Sequence, residues 1–246
     1  MKMLQAFRQI LGVAYIESRW IKRQPLWIVQ GVIGAIGFII ILFAWGGVEA
    51  LRRLVVAYII VGAWGQGLNI VAQVIGWNRI YGEYERLVAS PVTLPIYFIG
   101  IVLGTSPFLI VNIIPAIVLA IIANVNLTSF LCVLSLAPIA LILGSFLSLS
   151  IILRIKNPTN ISAITNPLYT LTVVLPPVYY PAYILPSIIR EIGLLVPTAS
   201  LVEIGNYLLK PNPNAYYSTI YSIIVTVPWL IVTIYLTVRK MKWGLE

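Results

Sequence analysis

Long apolar runs, separated by short polar connections, dominate the pattern of this chain. A helix needs about 20 mostly apolar residues to cross a bilayer, and six runs can supply such helices. The predicted transmembrane helices are 26–45, 54–77, 96–123, 129–153, 161–175 and 215–238. Prolines interrupt the fifth run, so this span is expected to end near Leu175. The pattern predicts an all-α integral membrane protein with six transmembrane helices in one domain, residues 1–246.

The stretch before the first span has a different periodicity. Between residues 2 and 24, apolar side chains recur at helical spacing and basic residues lie among them. The positions that set this spacing are Leu4, Phe7, Leu11 and Ala14. The segment favours an N-terminal interfacial amphipathic helix whose Lys and Arg side chains face anionic head groups. The alternative is a basic tail without that role. Gln24-Pro25 is expected to break the helix.

Composition supports the membrane assignment and the charge distribution orients the chain. The sequence is 60% hydrophobic and 9% charged, whereas soluble domains are about one quarter charged. The net charge of +9 could suggest nucleic acid, but excess Lys and Arg in a membrane protein usually mark cytoplasmic loops. In the predicted arrangement of spans, twelve of the 16 basic residues fall on one side of the membrane. We therefore expect a multi-pass protein of the cell membrane with both termini cytoplasmic, a lipid bilayer as partner and no nucleic acid.

The missing residue types exclude several kinds of chemistry. The sequence has no His, no Asp and one Cys, Cys132, so neither a usual metal cluster nor a Ser-His-Asp triad can be assembled. It lacks the GxxxxGK[ST] phosphate-binding loop, and no charged residue falls clearly within a span. Ion-driven carriers usually place an ionisable group near the bilayer centre. The chain is therefore expected to be no enzyme, to hold no cofactor of its own, and to need a partner for energy if it transports.

Uncharged polar side chains form two stripes inside the spans. One stripe consists of Gln66, Asn69 and Gln73, on one face of the second span. The other consists of Ser162, Asn166 and Thr170, on one face of the fifth. These stripes could line a translocation path, or they could be hydrogen-bonding contacts between helices. In the third span, Gly100 and Gly104 form a small-xxx-small pair that permits close helix packing.

The region after the fifth span, residues 176–210, contains apolar stretches that are too short to cross a bilayer and are separated by prolines. This composition suggests a re-entrant outer segment between spans five and six. Its first turn would supply an outer gate, for which the candidate residues are Pro177, Tyr179, Tyr180 and Pro181. The alternative is a packed lid with a purely structural role. Asn126-Leu127-Thr128 is an N-glycosylation pattern on the predicted outer side.

A short charged segment, residues 78–95, lies between the second and third spans on the predicted cytoplasmic side. Its central sequence, GEYERLVASPV at residues 82–92, resembles the acidic E-x-L, small-S-P-V segment of the ABC-2-type transporter permeases. Gly100 opens the third span, as in that family, and the proline-punctuated outer segment is similar too. A departure is Thr93-Leu94-Pro95, which either ends the charged segment or begins the third span.

The resemblance implies the membrane-spanning permease subunit of an ATP-driven exporter. Two permease subunits, in a homo- or heterodimer, would pair above two ABC ATP-binding subunits that hold ATP and Mg. Residues 78–95 would be a cytoplasmic coupling helix docked on such a subunit, with contacts from Tyr81, Glu83, Glu85, Arg86, Leu87, Ser90 and Pro91. The alternative function, suggested by the polar stripes, is an ATP-independent channel, scaffold or secondary carrier.

Overall fold

The computed structural model describes residues 2–23, 25–152, 155 and 157–240, and within these ranges all regular structure is helical. The helices are α1 Lys2–Arg23, α2 Pro25–Gly65, a π-helical turn Gln66–Ile70, α3 Val71–Ile80, α4 Glu83–Val88, α5 Leu94–Thr105, α6 Ile110–Ile122, α7 Leu127–Leu134, α8 Ala137–Ile152, α9 Ile161–Val173, α10 Ser187–Leu194, α11 Pro197–Leu209 and α12 Tyr216–Lys240. The predicted all-α class is confirmed. Some residues of the predicted elements lie outside the described ones. They are Gln24, Leu153 at the end of the predicted 129–153 span, and the basic residues Arg154, Lys156 and Lys242.

Four helical stretches of the described chain are long and apolar enough to cross a membrane. They are Ile28–Ile80, Leu94–Ile122, Leu127–Ile152 and Pro213–Thr237. Such helices fit a membrane protein. The second and third stretches each combine two helices across a short break, at Ser106–Leu109 and near Ser135.

The first stretch is folded back on itself at Gly47. This residue has φ 56° and ψ −145°, outside the helical region. The hydroxyl of Tyr58 donates a hydrogen bond of 2.9 Å to the carbonyl of Ala35, although 23 residues of straight helix would separate the two by about 35 Å. The helix therefore forms a hairpin with two limbs side by side, which match the predicted runs 26–45 and 54–77.

The fifth predicted span is short. Helix α9 has 13 residues, which extend about 20 Å, and it is not among the four stretches that are long enough to cross a membrane. Beyond it, α10 and α11 meet at an angle of 104°, the geometry of a broken span or a re-entrant loop. The proline-rich region predicted to lie on the outer side therefore contains two short helices with a sharp bend between them.

The core has two parts. The larger part lies where the second limb of α2 contacts α6, α8 and α11, and it contains fully buried large side chains such as Trp64, Ile60 and Leu143. The smaller part joins α1, α3, α5 and α8 around Tyr97 and Ile101. Many large apolar side chains on the outer helix faces remain exposed, as expected of a surface that contacts lipid.

Helix α1 packs along α5 through the predicted small-residue pair. A Cβ atom built on Gly100 would lie 2.6 Å from Cβ of Val13, and one built on Gly104 would lie 2.7 Å from Cβ of Glu17. The pair therefore permits close approach of the N-terminal helix. The outer face of α1 keeps an exposed apolar stripe at Leu4, Phe7, Leu11 and Tyr15.

Replacement of Gly47 tests the hairpin. The conformation of Gly47 is one that L side chains rarely adopt, so Gly47→Ala should destabilise the fold by about 1–3 kcal/mol. Gly37→Ala is the matched control, because a Cβ built there meets no atom within 4 Å and Ala favours a helix. Thermal unfolding of both variants in the same detergent measures the difference. Equal melting temperatures for Gly47→Ala and the wild type would contradict the hairpin geometry.

Candidate functional site: an amide-lined cavity and a charged surface turn

The second limb of α2 changes its helical pitch at the predicted polar stripe. Gln66–Ile70 form a single π-helical turn before α3 continues the same rod. Single π turns of this kind are often found at functional sites, because they re-aim the side chains on either side of them. No sequence pattern predicted this turn, since its residues differ little from those of an ordinary apolar helix.

Two members of the stripe, Asn69 and Gln73, bond to protein groups. The amide nitrogen of Gln73 donates to the Asn69 side-chain oxygen at 2.6 Å, and the hydroxyl of Thr165 on α9 donates to the same oxygen at 3.2 Å. This part of the stripe therefore holds the second limb against α9. Gln66 is different: the residue is only 3% exposed, and its buried amide nitrogen has no hydrogen-bond partner among the residues that the structure describes.

Gln66 lines a cleft of about 580 Å³, which is open along much of one side, between the two limbs of α2, α6 and α9. Its polar lining consists of four carboxamides and one phenol, from Gln30, Gln66, Asn69, Asn112 and Tyr169. We call this space the amide chamber. Its volume lies within the range of small-molecule sites in proteins, about 300–1,000 Å³.

A second cavity of about 220 Å³ adjoins the amide chamber and shares part of its wall, including Gly34 and Asn112. Its other walls are mainly apolar and aromatic, and they include Phe38 and Tyr179. The rings of these two residues meet edge to face, with centroids 4.6 Å apart. We call this space the aromatic chamber. It connects the level of Gln66 to the predicted outer gate.

The predicted gate residues lie in one tight turn, but they differ in exposure. Tyr179 lines the aromatic chamber and is half-buried. Pro177 is buried and contacts α10 at Gly193, where a built Cβ would lie 2.8 Å from the proline ring. Tyr180 is exposed and Pro181 is half-buried, and neither lines the chamber.

The second predicted stripe lies away from the cavity. Ser162, Asn166 and Thr170 are all exposed on α9, and the Thr170 hydroxyl donates to the carbonyl of Asn166 at 3.1 Å. Tyr169, on another face of the same helix, lines the amide chamber instead. The two stripes therefore do not share one cavity within the chain. Asn112, a lone amide in the third apolar run, was the signal in the sequence that could have revealed the chamber.

The charged segment after α3 is a compact turn around a single short helix. Gly82 adopts a left-handed conformation with φ 72° and precedes α4, Glu83–Val88. The hydroxyl of Ser90 donates to the carbonyl of Leu87 at 2.7 Å and accepts from the amide of Val92 at 3.3 Å. Helix α5 begins at Leu94, so Thr93-Leu94-Pro95 starts the next helix and does not extend α4.

The predicted coupling residues differ in exposure. Tyr81, Glu83, Arg86 and Pro91 are exposed, whereas Glu85, Leu87 and Ser90 are partly buried. The segment is anchored from below by Tyr84, which is buried and packs edge to face on Tyr97 of α5. The result is a surface turn that exposes Glu83 and Arg86 and is held to α5 by Tyr84.

Beneath this turn, three polar side chains join three helices. The side-chain amide of Asn78 on α3 donates to the carboxyl of Glu17 on α1 at 2.9 Å, and it lies 3.1 Å from the hydroxyl of Tyr97 on α5. All three residues are buried. We call them the polar triad. The sequence placed Glu17 only on an amphipathic helix, so periodicity gave no sign of this contact.

The environment of Glu17 favours its protonated form. Burial raises the pKa of its carboxyl above the ordinary value, the hydrogen bond from Asn78 acts to lower it, and the charge of Glu83 acts to raise it. The net direction is upward. The polar triad is thus built around a carboxyl group that loses its proton less readily than an exposed one.

No protein-family model and no curated protein matches this chain. Its functional assignment therefore depends on the geometry described above: an uncharged cavity among long apolar helices, and a rigid charged turn at one end of them.

Substitution of Glu17 should change how stability depends on pH. Above pH about 4.5, the unfolded chain loses the proton that folded Glu17 still holds, so rising pH destabilises the fold until the raised pKa is passed. Glu17→Gln should therefore flatten the decrease in melting temperature above pH 4.5. Asn78→Leu removes the hydrogen bond that lowers this pKa, so it should extend the decrease to higher pH. Melting curves from pH 4 to 8 would contradict this if Glu17→Gln kept the wild-type slope.

Proposed function

We propose that this chain is the membrane-spanning permease subunit of an ATP-driven exporter of the ABC-2 type. The observation that carries the proposal is the rigid charged turn of α4, whose exposed Glu83 and Arg86 face outward while Tyr84 anchors it to α5. In this proposal the chain crosses the cell membrane six times, with both termini cytoplasmic, and α1 lies at the membrane interface. ATP and Mg belong to two separate ATP-binding subunits.

The contacts around α4 supply a route for mechanical force. A partner that binds Tyr81–Pro91 would press Tyr84 onto Tyr97 and so act on the third span. The polar triad ties the same region to α1 and α3. Helix α3 continues directly into the π turn that carries Gln66, so movement at the turn reaches the amide chamber without crossing a loop.

The exposed stripe on α9 suits a second permease subunit. Ser162, Asn166 and Thr170 carry uncharged hydroxyl and amide groups on a helix surface that no other part of the described chain covers. In lipid such groups are best matched by another helix or by a wet path. We place them at the contact between two copies, with α10 and α11 as a re-entrant outer segment and Tyr179 at the gate.

A second candidate is an ATP-independent channel or secondary carrier. It is favoured by the cavity itself, which a single chain forms between its own helices. The two candidates differ in one measurable respect: flux through vesicles that contain only this chain requires no ATP-binding subunit if the second candidate is right.

A charge exchange tests the docking role of α4. The variant Glu83→Arg with Arg86→Glu keeps the net charge of the chain and one acid and one base three residues apart, but it inverts the charges presented to a partner. Association with a copurifying ATP-hydrolysing subunit should weaken by about tenfold or more, because like charges then face each other. ATPase activity that copurifies with the tagged chain in neutral detergent measures this.

The matched control exchanges a pair on another part of the surface. Glu49 forms an exposed ion pair of 3.3 Å with Lys210 and a second one of 3.2 Å with Arg52. Exposed pairs contribute little to stability, about 0–1 kcal/mol, so loss of the Arg52 contact in the exchanged variant should be tolerated. The variant Glu49→Lys with Lys210→Glu should leave the copurifying ATPase unchanged. Absence of any associated ATPase from the wild type, or equal association of both exchanged variants, would refute the proposed function.

A further inference from the structure

We propose that the joined amide and aromatic chambers bind an uncharged amphiphile. Its head carries hydroxyl or carbonyl oxygens that lie beside Gln66, and its short hydrocarbon tail enters the aromatic chamber. The inference concerns binding to this chain alone. It becomes a statement about the exported cargo only if the proposed function holds.

The unpaired amide of Gln66 points to the head group. A buried donor left without a partner costs about 1–3 kcal/mol, and such groups in folded proteins are nearly always satisfied. Gln66 is one of the residues that line the amide chamber, and its side-chain nitrogen is buried and has no partner among the described residues. A carboxamide offers both a donor and an acceptor, and a hydroxyl group can pair with either.

The lining excludes a charged head. None of the described residues that line either chamber is Lys, Arg, Asp or Glu. An ionised group taken from water into such a space without a counter-charge is strongly disfavoured. Neutral carboxamides, by contrast, match hydroxyl, ester and amide groups. The head is therefore polar and uncharged.

The second chamber indicates an apolar tail. Phe38, Leu54, Ala57 and Tyr179 form much of its wall, and removal of hydrocarbon from water contributes about 0.8 kcal/mol for each buried CH₂ group. The two chambers share Gly31, Gly34 and Asn112, so one molecule can extend through both. The chamber of about 220 Å³ suits a short chain better than a long one.

The proposed binding is tested with tritiated 1-monodecanoylglycerol and the chain in phosphatidylcholine nanodiscs. Empty nanodiscs give the background. The glycerol ester is neutral and has two hydroxyl groups and a ten-carbon chain. Decanoate and decyltrimethylammonium carry chains of the same length on a negative and a positive head. Saturable binding of one glycerol ester per chain is expected, with both charged analogues weaker by about tenfold or more.

Two glycines on the same helix supply a matched pair of variants. A Cβ built on Gly34 or on Gly37 meets no atom within 4 Å, but only Gly34 lines the chambers. Gly34→Leu should fill the junction and abolish saturable binding, whereas Gly37→Leu should bind like the wild type. Equal binding by these two variants would overturn the proposal.

A second pair of variants tests the head group and does not depend on the folding of Gly34→Leu. Gln66→Leu keeps the volume but removes the amide, and it should weaken binding by about fivefold or more. Ser148→Ala removes another buried, unpaired polar group that lines neither chamber, so its binding should not change. No saturable binding to the wild type, or equal binding of the charged analogues, would also overturn the proposal. The nanodisc assay contains no ATP-binding subunit, so neither of these results bears on the copurification test of the proposed function.

Discussion

The close crossing of the π turn and α8 fixes the geometry on which the cavity depends. A Cβ on Gly67 would lie 2.4 Å from the carbonyl oxygen of Leu141, and one on Gly144 would lie 2.7 Å from the carbonyl oxygen of Trp64. Backbone therefore meets backbone at this point, and no larger side chain fits between the helices without a shift. With Gly67 held against α8, the neighbouring Gln66 is directed to another face of its helix, where the amide chamber lies.

This constraint explains why an unfavourable group persists in the interior. The crossing fixes the backbone next to Gln66, whose side-chain nitrogen is buried without a partner among the described residues. Asn69 and Gln73, further along the same rod, are bonded to each other, and Asn69 is bonded to α9 as well. Residues of similar chemistry on one stripe thus have different roles: one part holds helices together and the other faces a cavity. Departures from complete hydrogen bonding are most common at functional sites.

The sequence predicted what depends on local pattern and missed what depends on the rotation and register of helices. Run lengths and prolines predicted the all-α class, the break between the first two limbs and the short bent helices of the outer region. Periodicity placed Ser162 and Gln66 on stripes, but it cannot say which neighbour each stripe meets, and the structure directs them to different surroundings. The pairing of Gly100 with α1 and the polar triad join segments far apart in sequence, so no local pattern records them.

The polar triad also changes the role expected of α1. An amphipathic helix that only rested on lipid would be free to move relative to the spans, but here Glu17 is buried and bonded to Asn78, and Val13 contacts Gly100. Helix α1 therefore contacts both α3 and α5 at the level of the charged turn of α4. A force applied to α4 must move these three helices together or break a buried hydrogen bond, which costs about 1–3 kcal/mol. Because α3 leads without a loop to the π turn, Asn78 of the polar triad and Gln66 of the cavity lie on one continuous helical rod.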